Sequence, residues 1–292
     1  MFWNPIVKAC FLYRTHGISG FLPDRAFLKK ICHYSKTRKM DIDNPVTFNE
    51  KIQWLKLYDR RPEHVCLADK FEVRKFVAKT VGEEILIPCY GVWDKFEQIP
   101  FADLPDQFVL KCTHDCGSVV ICKDKNTLDM DKTRRRIKNA LSVNHYWHYR
   151  EWLYKNLRPR VVAEQLISDG SGSDLMDYKI FCFGGTPKIV KVDYDRFSDH
   201  QMSCYTPGWE YIDSVYQKQG KEIPKPGCLG RMLELAEKLS AGIPQVRVDL
   251  YVVGDKIYFG EMTFYNAAGF SKLTPEYDKQ MGDWWVLPPK RR

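Results

Sequence analysis

Apolar positions recur along most of the chain at helical or strand spacing, and proline, glycine and capping residues mark the breaks. Asn44-Pro45-Val46-Thr47-Phe48-Asn49-Glu50 reads as a loop entering a helix, with Thr47 as the cap and Glu50 as its capping-box partner. That helix is expected to bury Ile52, Trp54, Leu55 and Tyr58. A second helix follows Leu67-Ala68-Asp69-Lys70, carries Phe71, Val73, Phe76 and Val77 on its apolar side, and ends near Gly82. Ile85-Leu86-Ile87-Pro88 reads as a short buried strand. Pro100 and Pro105 lie in a loop that leads to a strand, Phe108-Val109-Leu110-Lys111. A loop from Cys112 to Ser118 and a strand from Val119 to Cys122 come next. The segment 132–156 is polar and aromatic and reads as helical, with Arg134-Arg135-Arg136 on a solvated face.

The apolar run 161–167 has a polar break at Glu164-Gln165 and is followed by a flexible 169–173 loop. Segments 179–183 and 188–192 form a hairpin around Gly184-Gly185. A helix over 229–239 precedes a last hairpin, 246–252 with 257–263. There is no internal repeat, and helices and strands alternate without strict βαβ order. The expected class is α+β, built in layers.

Composition narrows the picture. The chain has 292 residues, 44% hydrophobic and 28% charged, enough for a large core and too apolar for disorder. No apolar run approaches the roughly 20 residues of a membrane-spanning helix. The start Met1-Phe2-Trp3-Asn4-Pro5 lacks the basic region and cleavage site of a secretory signal. A soluble or peripheral protein of the cytoplasm is expected. The ten cysteines include no Cys-x-x-Cys pair and read as reduced thiols. Cys112, Cys116 and Cys122 with His114 fit no common zinc spacing.

Charge is uneven. Residues 1–40 hold eight Lys/Arg against one acid, Asp24, so most of the net +8 sits there. Phe2, Trp3, Ile6, Val7, Phe11, Leu12, Tyr13, Phe21 and Leu22 are interleaved with these cations. Such an arm suits an anionic membrane surface; the alternative is a helical pair packed on the body with a solvated basic face. Nucleic acid is not an expected partner, because no binding module follows and the rest is nearly neutral.

Candidate chemistry begins in the last hairpin. Arg247, Asp249 and Tyr251 share one strand face, as do Phe259, Glu261 and Thr263 on the return strand. A three-residue turn, Gly254-Asp255-Lys256, would set Asp249 opposite Glu261, about 5 Å apart at Cβ. Two carboxylates so placed repel unless a cation lies between them, and Mg²⁺ suits carboxylate plus phosphate oxygens. A two-residue turn would send Glu261 to the other face, and ordinary surface carboxylates paired with Arg247 are the alternative. Lys111, delivered by a strand into a turn with Gly117 and Ser118, suits a phosphate, although the order is not that of a Walker loop. Glu164-Gln165-Leu166 offers strand backbone to a purine. Asp177 is placed for a ribose, and Lys179 for a phosphate.

These residues together resemble the nucleotide site of the ATP-grasp superfamily. The phrases Phe48-Asn49-Glu50-Lys51, Asp69-Lys70-Phe71-Glu72-Val73-Arg74, Phe108-Val109-Leu110-Lys111, Asp177-Tyr178-Lys179, Val192-Asp193-Tyr194-Asp195-Arg196-Phe197 and Val246-Arg247-Val248-Asp249-Leu250-Tyr251 resemble its TupA-like branch. That branch is named for teichuronopeptide biosynthesis, and its members are often labelled glycosyltransferases. The resemblance implies two lobes with antiparallel sheets that clamp ATP. Behind the basic and aromatic arm, taken as 1–45 from its composition, the expected organisation is an α/β lobe at 46–107, a small lobe at 108–165, and a large lobe with the metal site at 166–292. Lys70 and Lys111 match the phosphate lysines, Gly117-Ser118 the phosphate loop, and Glu164, Gln165 and Leu166 the adenine hinge. Asp177 stands near the ribose, and Asp249 and Glu261 match the magnesium carboxylates. The implied reaction is ATP- and Mg²⁺-dependent activation of a carboxylate as an acyl phosphate. Arg196 or Arg247 would hold the acceptor carboxylate or acyl phosphate, and Lys179 would assist catalysis. The substrate would be a uronic acid, sugar or amino acid of surface polysaccharide, free or lipid-linked. One departure stands out: Glu261-Met262-Thr263 replaces the common Glu-x-Asn, and Asn266 could substitute only if the strand bends.

A glycosyltransferase reading has its own handle in Asp193-Tyr194-Asp195, which could hold a metal against a sugar nucleotide. A scaffold without catalysis would leave buried charge without a ligand, which is costly. The arm yields a direct prediction: full-length protein floats with anionic liposomes, and a chain lacking residues 1–40 floats markedly less. Equal flotation of the two would refute membrane binding by the arm.

Overall fold

A computed structural model describes residues 22–34, 40–170, 174–195 and 199–291. Two antiparallel sheets carry the architecture. The smaller has the order β1 (Cys89–Trp93), β4 (Val161–Gln165), β2 (Phe108–Cys112), β3 (Val120–Cys122). The larger has the order β10 (Lys256–Thr263), β9 (Gln245–Val253), β5 (Asp177–Phe183), β6 (Thr186–Tyr194), β7 (Gln201–Tyr205), β8 (Tyr211–Ile212). The helices are α1 (Asp24–His33), α2 (Phe48–Tyr58), α3 (Pro62–Ala68), α4 (Val73–Val81), α5 (Met130–Leu141), α6 (Tyr146–Tyr149), α7 (Leu229–Ser240) and α8 (Pro275–Asp283). The class is α+β, as the alternation of elements implies.

Period-two patterning gives each sheet one apolar face. In the smaller sheet Phe108, Leu110, Cys112, Val161 and Ala163 are buried with Ile137 of α5 and Phe96. In the larger, Ile180, Cys182, Val190, Val192, Val246, Val248 and Leu250 pack with Leu229, Met232, Leu235, Ala236 and Leu239 of α7. The opposite faces therefore carry Lys111 and Glu164 in one sheet, and Asp177, Lys179, Arg247, Asp249 and Glu261 in the other. The smaller sheet also draws a strand from 89–93, on the N-terminal side of the expected boundary at 108.

Local signals explain several ends. The Thr47 side chain accepts from the Glu50 N–H, and the Glu50 carboxylate accepts from the Thr47 N–H at 3.0 Å, the complete capping box. Phe48 then meets Phe181 and Phe183 edge-on, which docks α2 on the larger sheet. Gly184 and Gly185 both have positive φ, +57° and +85°, as a two-residue hairpin turn requires. α1 of the basic arm is docked on the body through Phe27, Leu28 and Cys32. Asp24 at its start pairs with Arg60 and Arg150, and Arg25 and Lys29 pair with Asp43. Residues 1–21 and 35–39, the rest of the arm, lie outside the described residues.

Four expectations are corrected. Residues 85–88 do not form a strand: Leu86 makes a single bridge to Phe259, and the strand starts at Cys89, after the proline whose ring leaves no N–H to donate. The segment 132–156 is not one helix. α5 ends at Leu141, and after the short α6 Arg150 turns left-handed with φ 56°. The apolar run from Val161 stops as a strand at Gln165. Finally, the last hairpin has a two-residue turn: Val253 pairs with Lys256. A bulge at Gly260 restores the phase, so that Phe259 faces Leu250 and Glu261 faces Asp249. The carboxylates come together by a route other than the expected three-residue turn.

Gly260 is required there because a Cβ would lie 3.0 Å from the Asp249 carbonyl oxygen and 3.1 Å from the Tyr251 ring. Gly260→Ala is expected to lower stability by about 1–2 kcal/mol, read from urea unfolding. An unchanged midpoint would refute this account of the bulge.

Candidate active site

The register of the larger sheet lines up charge in a row. Lys191 on β6 faces Lys179 on β5, Lys179 faces Asp249 on β9, and Asp249 faces Glu261 on β10. A second row sets Asp193 opposite Asp177. The side chains alternate in sign along the contacts they make. Lys179 Nζ contacts Asp177 Oδ2 and lies 3.1 Å from Asp193 Oδ2 and 3.7 Å from Asp249 Oδ2. Asp193 also accepts from Lys191 at 3.1 Å and pairs with His200 Nε2 at 2.9 Å. Arg247 donates to both oxygens of Asp249, each at 2.6 Å, and reaches Glu261 Oε1 at 3.4 Å.

Lys70 joins the two sheets. The carboxylate of Asp69 accepts from the N–H groups of Phe71 and Glu72 and from the Thr113 hydroxyl, tying the turn before α4 to the loop after β2. Lys70 donates its backbone N–H to the Thr113 carbonyl at 3.0 Å. Its ammonium then bonds the Asp115 carbonyl and lies 3.5 Å from Glu261 Oε2. One side chain thus holds the 112–118 loop against β10. On the smaller sheet Lys111 Nζ lies 2.6 Å from Glu164 Oε2, and Arg74 reaches the other oxygen of Glu164 at 3.5 Å.

Two of the expected contacts are altered by this geometry. The Ser118 hydroxyl donates to Asp115 at 2.7 Å and accepts from the Cys112 N–H at 2.7 Å. It staples its own loop, so a phosphate would be met there by backbone rather than by this hydroxyl. Gly117, at φ +122°, has open space where a Cβ would stand. The Gln165 N–H donates to the Pro88 carbonyl at 2.9 Å and is closed to a purine, while Leu166 lies just beyond the strand end. Arg196 lies outside the described residues. Among the described residues no three His, Cys, Asp or Glu converge as a metal cluster. His114 instead meets the Val143 carbonyl through Nε2.

Burial and pairing compete in setting protonation. Burial pushes the Asp249 carboxyl up, to about 6, against Arg247 and Lys179. Glu261 is also pushed up by burial, but Lys70 and Arg247 outweigh that and hold it at about 2. Burial acts to lower Lys70 and Lys179, yet Glu261 and Asp249, with their neighbours, keep both ammoniums above their ordinary value. At neutral pH Lys70, Lys179 and Glu261 are therefore charged, and Asp249, at about 6, is the carboxyl of the row that titrates closest to neutrality.

Sequence patterning did not reveal what holds the chain beyond β10. After Thr263 the backbone turns through Asn266–Gly269, with Ala267 at φ 47° and Ala268 at φ 53°. The buried polar side of α2 grips this left-handed turn. Gln53 donates to the carbonyls of Ala268 and Gly269 at 3.0 Å, and Lys56 donates to Ala268 at 2.8 Å. Asn49 bonds the backbone of Ser271 in both directions. The bend brings Asn266 Oδ1 to 2.5 Å from Arg247 Nη1. Three polar residues one helical turn apart, at 49, 53 and 56, were the available signal.

Two sheets with facing charged surfaces, a lysine spanning them and a carboxylate pair on the last hairpin define the ATP-grasp class. The TupA-like ATP-grasp family matches residues 50–286, and the chain belongs to that family. Solved structures with a similar chain path include a D-alanine–D-alanine ligase from Helicobacter pylori, at 15% identity and TM-score 0.44, covering 82% of this chain and 69% of that one. Another, from Bacillus anthracis, has 18% identity and TM-score 0.37 and covers 68% of this chain. This chain spans 56% of the length of that ligase. A RimK domain ATP-grasp protein from Sphaerobacter thermophilus has 14% identity, TM-score 0.41 and coverages of 83% and 72%. The TM-scores are low, and the assignment rests on the family match. No curated protein matches this chain.

The donor chemistry fits the ATP and Mg²⁺ that the family implies. Asp249 and Glu261 offer hard carboxylate oxygens, two being the usual protein share when phosphate oxygens complete the shell. Glu261 also yields a pH prediction. A carboxyl held below its ordinary value contributes stability above that value and loses it as pH falls through its folded value. Glu261→Gln should therefore lower the melting midpoint at pH 7, with the deficit closing between about 4.5 and about 2. A deficit independent of pH would refute it.

Proposed function

We propose that this protein is an ATP- and Mg²⁺-dependent carboxylate ligase that works through an acyl phosphate. Its acceptor in this reading is a uronic acid, sugar or amino acid of surface-polysaccharide assembly, free or lipid-linked. The observation that carries the reading is the row Lys179–Asp249–Glu261 with Lys70, from the turn before α4, paired to its end.

A carboxylate is a poor acyl donor because its oxide does not leave, and phosphorylation by ATP supplies a leaving group. Little covalent work falls to the protein; its task is positioning and charge neutralisation. Asp249 and Glu261 would hold the magnesium ion, which when bound draws charge from the phosphate oxygens and orients them. Lys70 and Lys111 offset negative charge on the phosphates from two sides. Asp177, held by Lys179, offers an acceptor for a ribose hydroxyl. Lys179 lies among three carboxylates and fixes their separation. Arg247 has a planar fork that suits the acceptor carboxylate or the acyl phosphate formed from it, and Arg196 is assigned the same role.

The transferase alternative gains little from the geometry. Asp193 is already engaged by Lys179, Lys191 and His200, and alternation along β6 points Tyr194 away from it. For membrane contact, support comes from the charge of the first 40 residues. Location at the inner membrane face belongs to the same proposal. Among the described residues no helix is long and apolar enough to cross a membrane.

The test is turnover of ATP with Mg²⁺ against a panel of uronic acids and amino acids, with ADP and phosphate as the readout. Turnover should depend on the carboxylate, and Asp249→Ala and Glu261→Ala should each reduce it by about a hundredfold or more. Release of a nucleotide from a sugar nucleotide, without ADP formation, would establish the transferase instead.

A further inference from the structure

The guanidinium of Arg247 lies among the very oxygens that a metal would need. Its Nε and Nη2 donate to the two carboxylate oxygens of Asp249 at 2.6 Å each. Its Nη1 donates to Asn266 Oδ1 at 2.5 Å, and Nη2 also reaches Glu261 Oε1 at 3.4 Å. Four oxygens from three residues thus converge on one cation. Arg247 and Asp249 are both more than nine-tenths buried, so little water competes for these bonds.

A divalent ion binds carboxylate and amide oxygens through the lone pairs that these N–H groups now occupy. Two cations drawn to the same buried oxygens also repel each other strongly. Occupancy by one therefore opposes occupancy by the other. We infer that Arg247 is the resident counter-ion of the Asp249–Glu261–Asn266 oxygen cluster, and that a divalent cation enters by displacing it, with Asn266 as the third donor residue. The inference rests on Asp249 and Glu261 being the metal carboxylates, and it adds an internal competitor and a donor absent from the Glu261-Met262-Thr263 sequence.

The arrangement couples metal entry to nucleotide. Alone, a divalent ion must pull the guanidinium from four oxygens at once. Phosphate oxygens change that balance twice, because they add donors to the metal and give the guanidinium a new anionic partner. Asn266 stays in place during the exchange, because Gln53 and Lys56 hold the turn that carries it and its amide nitrogen donates to Ser271 at 2.6 Å.

Mn²⁺ alone, followed by the loss of its free-ion paramagnetic resonance signal, tests this without nucleotide. Arg247→Met should bind Mn²⁺ about tenfold tighter than the wild type, because the buried Asp249 and the partly exposed Glu261 then lose the cation that occupies their oxygens and keep only Lys179 and Lys70 at longer range. Its melting midpoint in chelator should fall below that of the wild type and rise more steeply with added Mn²⁺. Adding Asn266→Ala should remove part of the gain, whereas Asn266→Asp should keep it. Arg247→Met that binds no tighter than the wild type, or stays unfolded in saturating Mn²⁺, overturns the inference. A parallel titration of wild-type protein with ATP, with and without Mg²⁺, separates the failures: no Mg²⁺ effect there removes the metal assignment itself.

Discussion

Like charges side by side, one buried and one partly exposed, are the constraint on which this molecule is organised. Asp249 and Glu261 face each other across β9 and β10, and in a low-dielectric setting that repulsion must be answered by cations within a few ångströms. The answers come from three directions. Arg247 lies two residues back on the same strand, Lys179 comes from the neighbouring strand, and Lys70 reaches over from the other lobe. The chain path can be understood as the means of bringing those three cations to that pair.

The division of labour between sheet faces follows. α7 covers one face of the larger sheet with leucine and methionine, which fixes the strands as a rigid plate. The other face carries the charge by period-two alternation, beside the Phe181 and Phe183 rings that receive Phe48. The smaller sheet repeats the plan, with α5 behind it and the Lys111–Glu164 pair in front. Ion pairs hold the inner surfaces where apolar packing holds the outer ones. Apolar contacts give rigidity, and ion pairs give groups that can change partners when a polyanion arrives.

Much of this was legible from residue order. The capping box at Thr47, the double-glycine turn and the α7 helix are local, and local physics was enough to find them. The pairing of Asp249 with Glu261 was also legible, although for a wrong reason: the expected turn had three residues, and the true phase comes from a bulge at Gly260. Nothing in a single strand announces which residue will be squeezed out of a ladder. The partners of Ser118 and the Gln165 N–H were equally hidden, since each depends on a loop conformation or on a distant strand. Lys191 lies two residues before Asp193 on β6, where alternation sets them on one face, and His200 follows seven residues after it. What escaped the sequence was the conformation of loops and bulges as well as contact at long range.

The grip of α2 on the Asn266–Gly269 turn has a consequence for how the molecule comes into being. Gln53 and Lys56 find their partners more than 200 residues later in the chain. During synthesis from the N-terminus the Gln53 amide and the Lys56 ammonium stay hydrated until the 266–269 turn has emerged to cover them. The turn that carries Asn266 should accordingly be among the last of these parts to consolidate, and a nascent chain stalled before residue 270 would leave the polar side of α2 in water. Folding of this body would then hinge on the arrival of residues 266–271.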